Sequence, residues 1–214
     1  MALDECLLVT SAKQKEPAFY LREYRMPSTF SMGRIQSYDA LKSVFSQKPS
    51  YRIVRRPTGG GLVQHDSDLV VSTVIPASDA LYDWKVIDLY AFLHNIFAEV
   101  LESLAIQTCL NASSKDVKPE LCFESPSQYD LLNADGSKKI VGSAIKKTKG
   151  GILIQSSLHC DLKKCEFSRL LIEKFKQSVD TNISSIDTFQ LDRNEESWKQ
   201  LVERHMSQSW KQKL

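Results

Sequence analysis

The segment Leu69-Val70-Val71-Ser72-Thr73-Val74-Ile75 does most to restrict what this chain can fold into. It is continuous, rich in β-branched residues and free of charge, glycine and proline. Such a run reads as a buried strand, and a buried strand needs a sheet around it with other elements covering that sheet.

The neighbouring segments supply both. Tyr51 to Arg56 alternates and reads as a strand entering Gly59-Gly60-Gly61. Residues 18–36 read as strand, turn, strand around Met26-Pro27-Ser28, and Ala105 to Leu110 as a further strand. Tyr129–Asn133 and Lys139–Ile145 form a hairpin across Asp135-Gly136, followed by a strand over Gly151–Leu158. Residues 1–10 read as a short helix with Leu3, Leu7 and Leu8 on one side. Ser78-Asp79 is placed to cap a long helix over about 82–104, with Trp84, Ile87, Ala91, Ile96, Phe97, Val100 and Leu104 as its apolar set. The last fifty residues read as helical: Phe167–Val179 is amphipathic, and Trp198, Leu201, Val202, His205, Met206 and Trp210 stripe a second helix. Strands in the middle and helices at the ends give an α+β class, a mainly antiparallel sheet flanked by helices. A length of 214 residues is expected to form a single catalytic-size domain over 1–214.

Composition excludes several functional classes. With 42% hydrophobic and 25% charged residues the chain is neither disordered nor fibrous. Lys+Arg 28 against Asp+Glu 26 leaves a net charge of +2, so no global field points to nucleic acid or membrane. The five cysteines, Cys6, Cys109, Cys122, Cys160 and Cys165, are an odd count and not a disulfide scaffold. Asp4 and Glu5 near the start and the lack of a basic stretch there exclude a signal peptide, and no apolar run approaches the roughly 18 residues of a span. The expectation is a reduced, cytoplasmic protein.

Three segments carry candidate chemistry. The first is Arg55-Arg56-Pro57-Thr58-Gly59-Gly60-Gly61-Leu62-Val63-Gln64-His65-Asp66. Glycines let backbone amides approach a ligand, and an adjacent arginine can pin an anionic or carbonyl group. No Lys-Ser/Thr follows the glycines and the G-x-G-x-x-G spacing fails, so neither a Walker A loop nor a dinucleotide fingerprint is present. Taken alone, a glycine run between strands is more often a plain turn. His65, Asp66 and Asp68 fit no common zinc spacing, nor do His159, Cys160 and Cys165, and His65 reads as a packed, hydrogen-bonded histidine with no metal.

The second is Leu121-Cys122-Phe123-Glu124-Ser125-Pro126-Ser127, where a cysteine ends a polar loop. From local sequence it is better read as a small apolar plug than as a nucleophile, which would need its pKa lowered by a nearby positive group. The third is Lys138-Lys139-Ile140-Val141-Gly142-Ser143-Ala144 with Lys146, Lys147 and Lys149. Strand alternation puts Lys139 and Lys147 on one face and Lys138 and Lys146 on the other. The small residues Gly142, Ser143 and Ala144 leave room for a ligand, although a lysine-guarded edge strand has the same pattern.

Taken together, Arg55-Arg56-Pro57-Thr58-Gly59-Gly60 with His65-Asp66, followed by Lys139-Ile140-Val141-Gly142-Ser143-Ala144, resemble the biotin/lipoate protein ligase and octanoyltransferase family. Residues 1–5 look like that family's first helix. Leu21–Tyr24 with Pro27–Gly33 and Gln36 look like its early hairpin, and Gly150–Leu158 like the strand after the lysine motif. Cys122-Phe123-Glu124-Ser125-Pro126-Ser127-Gln128-Tyr129-Asp130 looks like the branch that carries a cysteine on this loop, where ATP-dependent ligases usually have an Arg-Asn-Asp-like segment.

The resemblance implies the biotin/lipoate ligase catalytic fold, similar to class II synthetases, without an accessory domain. It implies octanoyl transfer from acyl carrier protein, through a thioester on Cys122, to a lysine of a lipoyl domain of a 2-oxoacid dehydrogenase or of a glycine-cleavage H protein. Cys122 and Lys139 would be catalytic. Arg56, Thr58, Gly59, Gly60, Gly61, His65, Gly142, Ser143 and Ala144 would bind substrate, and Lys138, Lys146, Lys147 and Lys149 would face the acidic partners. That reaction needs no cofactor. An ATP- and Mg-dependent lipoate-protein ligase, or a non-catalytic acyl-binding relative, are the alternatives.

Overall fold

The structure is a computed structural model that describes residues 1–11, 19–113, 123, 125–162, 164–179, 183–185, 199–200, 203–205 and 207. Four α-helices are described: α1 (Ala2–Ser11), α2 (Lys42–Gln47), α3 (Val86–Ser103) and α4 (Lys164–Ser178). The strands are β1 (Phe19–Tyr24), β2 (Thr29–Met32), β3 (Arg52–Arg55), β4 (Val63–His65), β5 (Leu69–Pro76), β6 (Thr108–Leu110), β7 (Leu131–Asn133), β8 (Lys139–Thr148), β9 (Gly151–Leu158) and β10 (Ile183–Ser185). They form a seven-stranded sheet in the order β10-β1-β5-β9-β8-β7-β6 and a three-stranded sheet in the order β3-β2-β4. Only β1 with β10 and β2 with β3 run parallel among these pairs.

The uncharged run 69–75 lies in β5, every residue of which is buried between β1 and β9. Alternation along these strands divides two faces. Phe19, Leu21, Leu69, Val71, Ile75, Ile152, Ile154 and Leu158 face α3 and α4, joining Leu93, Phe97 and Val100 from the first and Phe167, Leu171 and Phe175 from the second. Tyr20, Val74 and Leu153 point the other way and meet Leu7 and Leu8 of α1. The small sheet has its own core, Phe30, Met32 and Leu62, closed by Leu41 and Phe45 on α2 and the residue before it.

Several expectations need correction. The strands around Met26-Pro27-Ser28 are not a hairpin: β1 and β2 lie in different sheets, and Ser28 turns between them at φ 51°. Asp79 caps a single 3-10 turn over Ala80–Asp83, its Oδ1 accepting the Leu81 amide at 2.9 Å. The helix proper starts only at Val86, so Trp84 and Ile87 are exposed and the buried stripe is Leu89, Leu93, His94, Ile96, Phe97, Val100 and Leu101. The last fifty residues are not all helical, because β10 adds an edge strand to β1. Of the second predicted stripe, only His205 lies within the described residues.

Glu5 on α1 joins the far end of the chain to the sheet. Its carboxylate accepts from Lys146 Nζ at 2.9 Å and His205 Nε2 at 2.9 Å, and pairs with Arg204. Burial pushes its pKa up, but the His205 and Lys146 hydrogen bonds and the surrounding positive charges outweigh this and hold it down to about 2. A depressed carboxyl pKa contributes stability above the ordinary value near 4.5, lost as pH falls through about 2. Glu5→Gln is therefore expected to lower the melting temperature at pH 7 by at least about 3 °C. In thermal melts followed by circular dichroism, the gap from wild type should close as pH falls from 5 to 2; an unchanged gap overturns this account.

Candidate active site

Each of the two adjacent arginines at the end of β3 organises a loop. Arg55 is fully buried, and its Nη1 donates to the carbonyls of Gly33 (3.0 Å), Arg34 (3.1 Å) and Gln36 (2.8 Å). Arg56 turns the other way. Its Nη2 donates to the Gly59 (2.6 Å) and Gly61 (2.7 Å) carbonyls and its Nη1 to the Ser31 carbonyl (2.8 Å). Arg56 thus pins carbonyls, as its position suggested, but those of its own loop and of β2.

The glycines fit this clamp. Gly60 sits at φ 86°, and a Cβ there would lie 2.9 Å from Arg56 Nη2; a Cβ on Gly33 would lie 2.0 Å from the Gly60 carbonyl oxygen. Thr58 is buried, its hydroxyl donating to Gln155 Oε1 at 2.8 Å.

A small, partly open pocket lies where the two sheets meet. Arg56, Ser31 and His65 border it from the small sheet and its loop, Val70, Gln155 and Ser157 from β5 and β9, and Gly142, Ser143 and Ala144 from β8. Phe123 closes one side. Of the predicted substrate-binding residues, Arg56, His65, Gly142, Ser143 and Ala144 are brought together here. Thr58, Gly59, Gly60 and Gly61 are not among the bordering residues; the Thr58 hydroxyl turns to Gln155, and the Gly59 and Gly61 carbonyls to the Arg56 guanidinium.

Lys139 is buried beside this pocket, with Nζ 2.8 Å from Asp130 Oδ2 and 4.9 Å from the centre of the Phe123 ring. Regular alternation would place Lys139 on the face of Val141, under α3. The pairing with β7 slips instead: Leu131 opposes Val141 while Leu132 opposes Lys139, leaving Ile140 as the extra residue of a β-bulge. The bulge turns Lys139 onto the face of Gly142, so it does not share a face with Lys147. Gly142 is needed for this, since a Cβ there would lie 2.2 Å from Lys139 Cε.

Asp130, Tyr90 and His94 support this lysine, and sequence reasoning gave none of them a role. The Tyr90 hydroxyl bonds Asp130 Oδ1 and accepts the Ser143 amide at 3.1 Å. His94 stacks on Tyr90 with ring centres 4.2 Å apart, and its Nε2 shares a hydrogen bond of 2.8 Å with Ser143 Oγ. Burial, reinforced by the Lys139 charge, pushes the His94 pKa down to about 3, so this ring is neutral. The available signal was Asp130 itself, directly before the apolar pair Leu131-Leu132 in a predicted strand.

The basic cluster divides. Lys138 and Lys149 are exposed. Lys146 is bound to Glu5 and Lys147 to the Tyr82 carbonyl and ring, so Lys146 is an internal tether and not a surface charge. Cys122 lies outside the described residues. Cys6 is buried on α1; Cys109 and Cys160 are free thiols, and burial with Asp161 nearby pushes the Cys160 thiol up to about 11, away from nucleophilic use.

Residues 1–207 match the lipoyl protein ligase A/B catalytic domain. Octanoyltransferase LipM of Bacillus cereus is 29% identical over 199 residues, covering 86% of this chain and 70% of that protein. LipM of Lysinibacillus sphaericus is 33% identical over 174 residues, covering 76% of this chain and 61% of that protein. The second of these relatives is thus spanned for less than two thirds of its length.

Among solved structures, a bi-partite lipoate protein ligase from Thermoplasma acidophilum superposes with a TM-score of 0.70 at 19% identity, over 99% of this chain and 89% of that one. Lipoate-protein ligase A bound with ATP gives 0.70 at 21%, over 99% and 92%. These two share the fold: a mainly antiparallel sheet flanked by helices. The chain belongs to the lipoyl protein ligase A/B catalytic domain family.

Proposed function

We propose that this chain is an octanoyltransferase of protein lipoylation, with Cys122 as nucleophile and Lys139 as the charge that serves it. The observation that carries the reading is the buried Lys139–Asp130 pair, with Lys139 Nζ 4.9 Å from the ring of Phe123, the residue next to Cys122 in the chain and a wall of the pocket. The relatives named octanoyltransferase supply the reaction class.

In the first step the Cys122 thiolate attacks the carbonyl carbon of an octanoyl thioester on acyl carrier protein. The new C–S bond forms, the carrier C–S bond breaks, and the carrier leaves as a thiol after taking a proton. In the second step the ε-amine of a lysine on a lipoyl domain or H protein attacks the Cys122 thioester. An amide forms, the C–S bond breaks, and the amine proton restores the thiol. A thioester is already activated, so this route uses neither ATP nor Mg.

Lys139 acts as an ammonium. Engaged by Asp130, it offers no lone pair to the incoming amine; it offers positive charge to a thiolate and a donor to the oxyanion of each tetrahedral intermediate. The buried carboxylate holds it there, since an uncompensated buried charge costs several kcal/mol. The pocket takes the acyl chain, at about 0.8 kcal/mol per buried methylene. Exposed Lys138 and Lys149 are placed to meet an acidic carrier domain.

Two outcomes are expected. Mixed with octanoyl-acyl carrier protein without ATP, the protein should gain one octanoyl group by intact mass, and Cys122→Ser should lose that gain. Absence of the adduct, with ATP-dependent lipoylation of a lipoyl domain instead, would transfer the assignment to the ligase. Lys139→Met should lower kcat for octanoyl transfer by about 10²- to 10³-fold. Gly142→Ala should reproduce much of that loss while leaving the circular dichroism spectrum intact, because its Cβ displaces the Lys139 stem; wild-type turnover in either variant refutes the role given to Lys139.

A further inference from the structure

The pocket wall opposite β8 carries a constellation in which the lipoylation reading gives Ser31 and Asp68 no part and His65 only a binding one. Ser31 lies on β2, His65 ends β4, and Asp68 stands in the turn before β5. Asp68 Oδ2 is 2.7 Å from His65 Nδ1, and His65 Nε2 is 2.7 Å from Ser31 Oγ. Burial pushes the Asp68 carboxyl up, but hydrogen bonds from His65 and Ser157 outweigh this and hold it below its ordinary value. An ionised carboxylate only accepts, so it fixes the ring proton on Nδ1 and leaves the Nε2 lone pair facing the Ser31 hydroxyl. That tautomer and that order of contacts are what a serine nucleophile requires. Arg56 Nη1 lies 3.4 Å from Ser31 Oγ, placing positive charge where an alkoxide and a tetrahedral oxyanion would form. Ser31, His65 and Arg56 all border the pocket.

We propose that Ser31, His65 and Asp68 form a second acyl-transfer centre in this pocket, a serine nucleophile acting on acyl thioesters and esters. The proposal goes beyond the Cys122 reaction and does not rest on it. Ser31 Oγ bonds the acyl carbonyl carbon while its proton passes to His65 Nε2. The C–S or C–O bond to the leaving group breaks, and the leaving thiol or alcohol takes the proton from the imidazolium. An ester on Ser31 results. Water then attacks that ester, giving a proton to His65; the Ser31 C–O bond breaks, Ser31 regains its proton, and a carboxylic acid leaves. The balance is one thioester or ester plus water giving a thiol or alcohol plus an acid, with no redox partner.

The test uses the full chain carrying Cys122→Ala, p-nitrophenyl octanoate and an alkyl fluorophosphonate. The expected result is continued p-nitrophenol release, with the fluorophosphonate adduct mapped to Ser31 by peptide mass spectrometry. Adding Ser31→Ala should remove the adduct and lower the rate at least about 100-fold. Asp68→Asn, which frees the ring to adopt the other tautomer, should lower kcat by a similar or larger factor. If the alanine variant does not fold, Ser31→Cys keeps a nucleophile in place and must be acylated at residue 31. No label at Ser31, or equal hydrolysis with and without its hydroxyl, overturns the proposal. The octanoyl adduct on the unmodified chain, mapped to residue 122 by peptide mass spectrometry, reports separately on Cys122, so the two readings fail by different measurements.

Discussion

A carboxylate shut away from water holds three parts of this molecule together. Asp4 on α1 accepts from Arg22 Nη1 at 2.6 Å and the Tyr24 hydroxyl at 2.7 Å on β1, and from Gln155 Nε2 at 2.7 Å on β9. A buried charge that loses its partners costs several kcal/mol, so α1, β1 and β9 cannot slide independently. The other end of the Gln155 amide accepts from Thr58, in the loop between β3 and β4. That loop is bound in turn to Arg56, which reaches across to β2. The small sheet is therefore positioned against the large one by a chain of directed polar contacts that starts at Asp4 and ends at Ser31. The pocket lies along this chain, and Arg56, Gln155 and Ser31 belong to both.

The same economy explains the distribution of charge around the pocket. Lys139 with Asp130 stands beside one wall, and His65 with Asp68 forms part of another. Gly142, Ala144 and Val70 form the space between them. In such a low-dielectric cleft a charge acts more strongly on a reacting acyl group than it would in water. Lys139 is held by Asp130 and Asp68 by His65, so both charges are oriented before any ligand arrives. Phe123 lies at the junction, its ring 4.0 Å from that of His159 and 4.9 Å from Lys139 Nζ.

How much of this was legible from the chain depended on whether a property is periodic. The buried β5 run, the hairpin of β7 and β8 across Asp135-Gly136, and the stripe of Phe167, Leu171 and Phe175 repeat at strand or helix spacing, and they formed as read. The motifs Arg55-Arg56 and Lys139 to Ala144 lie around the pocket, and they stood out because arginine, lysine and glycine are costly to bury or order without compensation. Partnerships at long sequence separation had no such signal. Nothing around Thr58 announces Gln155, 97 positions away, and nothing around Glu5 announces Lys146 or His205. Asp79 was read as the cap of α3 because capping chemistry is local, whereas the 3-10 turn it caps delays the helix to Val86.

Strand alternation failed at one place, Lys139, and the failure explains the site. On a regular β8 the lysine would share a face with Val141, which lies in the core beneath α3 and α4; an ammonium there would be desolvated among apolar side chains, far from any chemistry. One extra residue, Ile140, moves it to the pocket face. That move alone is insufficient, because the turned side chain must run across the next position on its new face. Any residue but glycine at 142 would put a Cβ 2.2 Å from Lys139 Cε and 2.6 Å from Nζ. The bulge and the glycine therefore work only as a pair: the first gives the lysine its direction and the second gives it space. Each weakens the strand locally, a glycine in a strand by roughly 0.5–1 kcal/mol relative to alanine, and β8 bears that loss because it pairs with β9 from Val141 to Thr148. A lysine three residues before a glycine at the start of a long strand is thus the imprint of a strand bent to turn a buried charge toward the pocket.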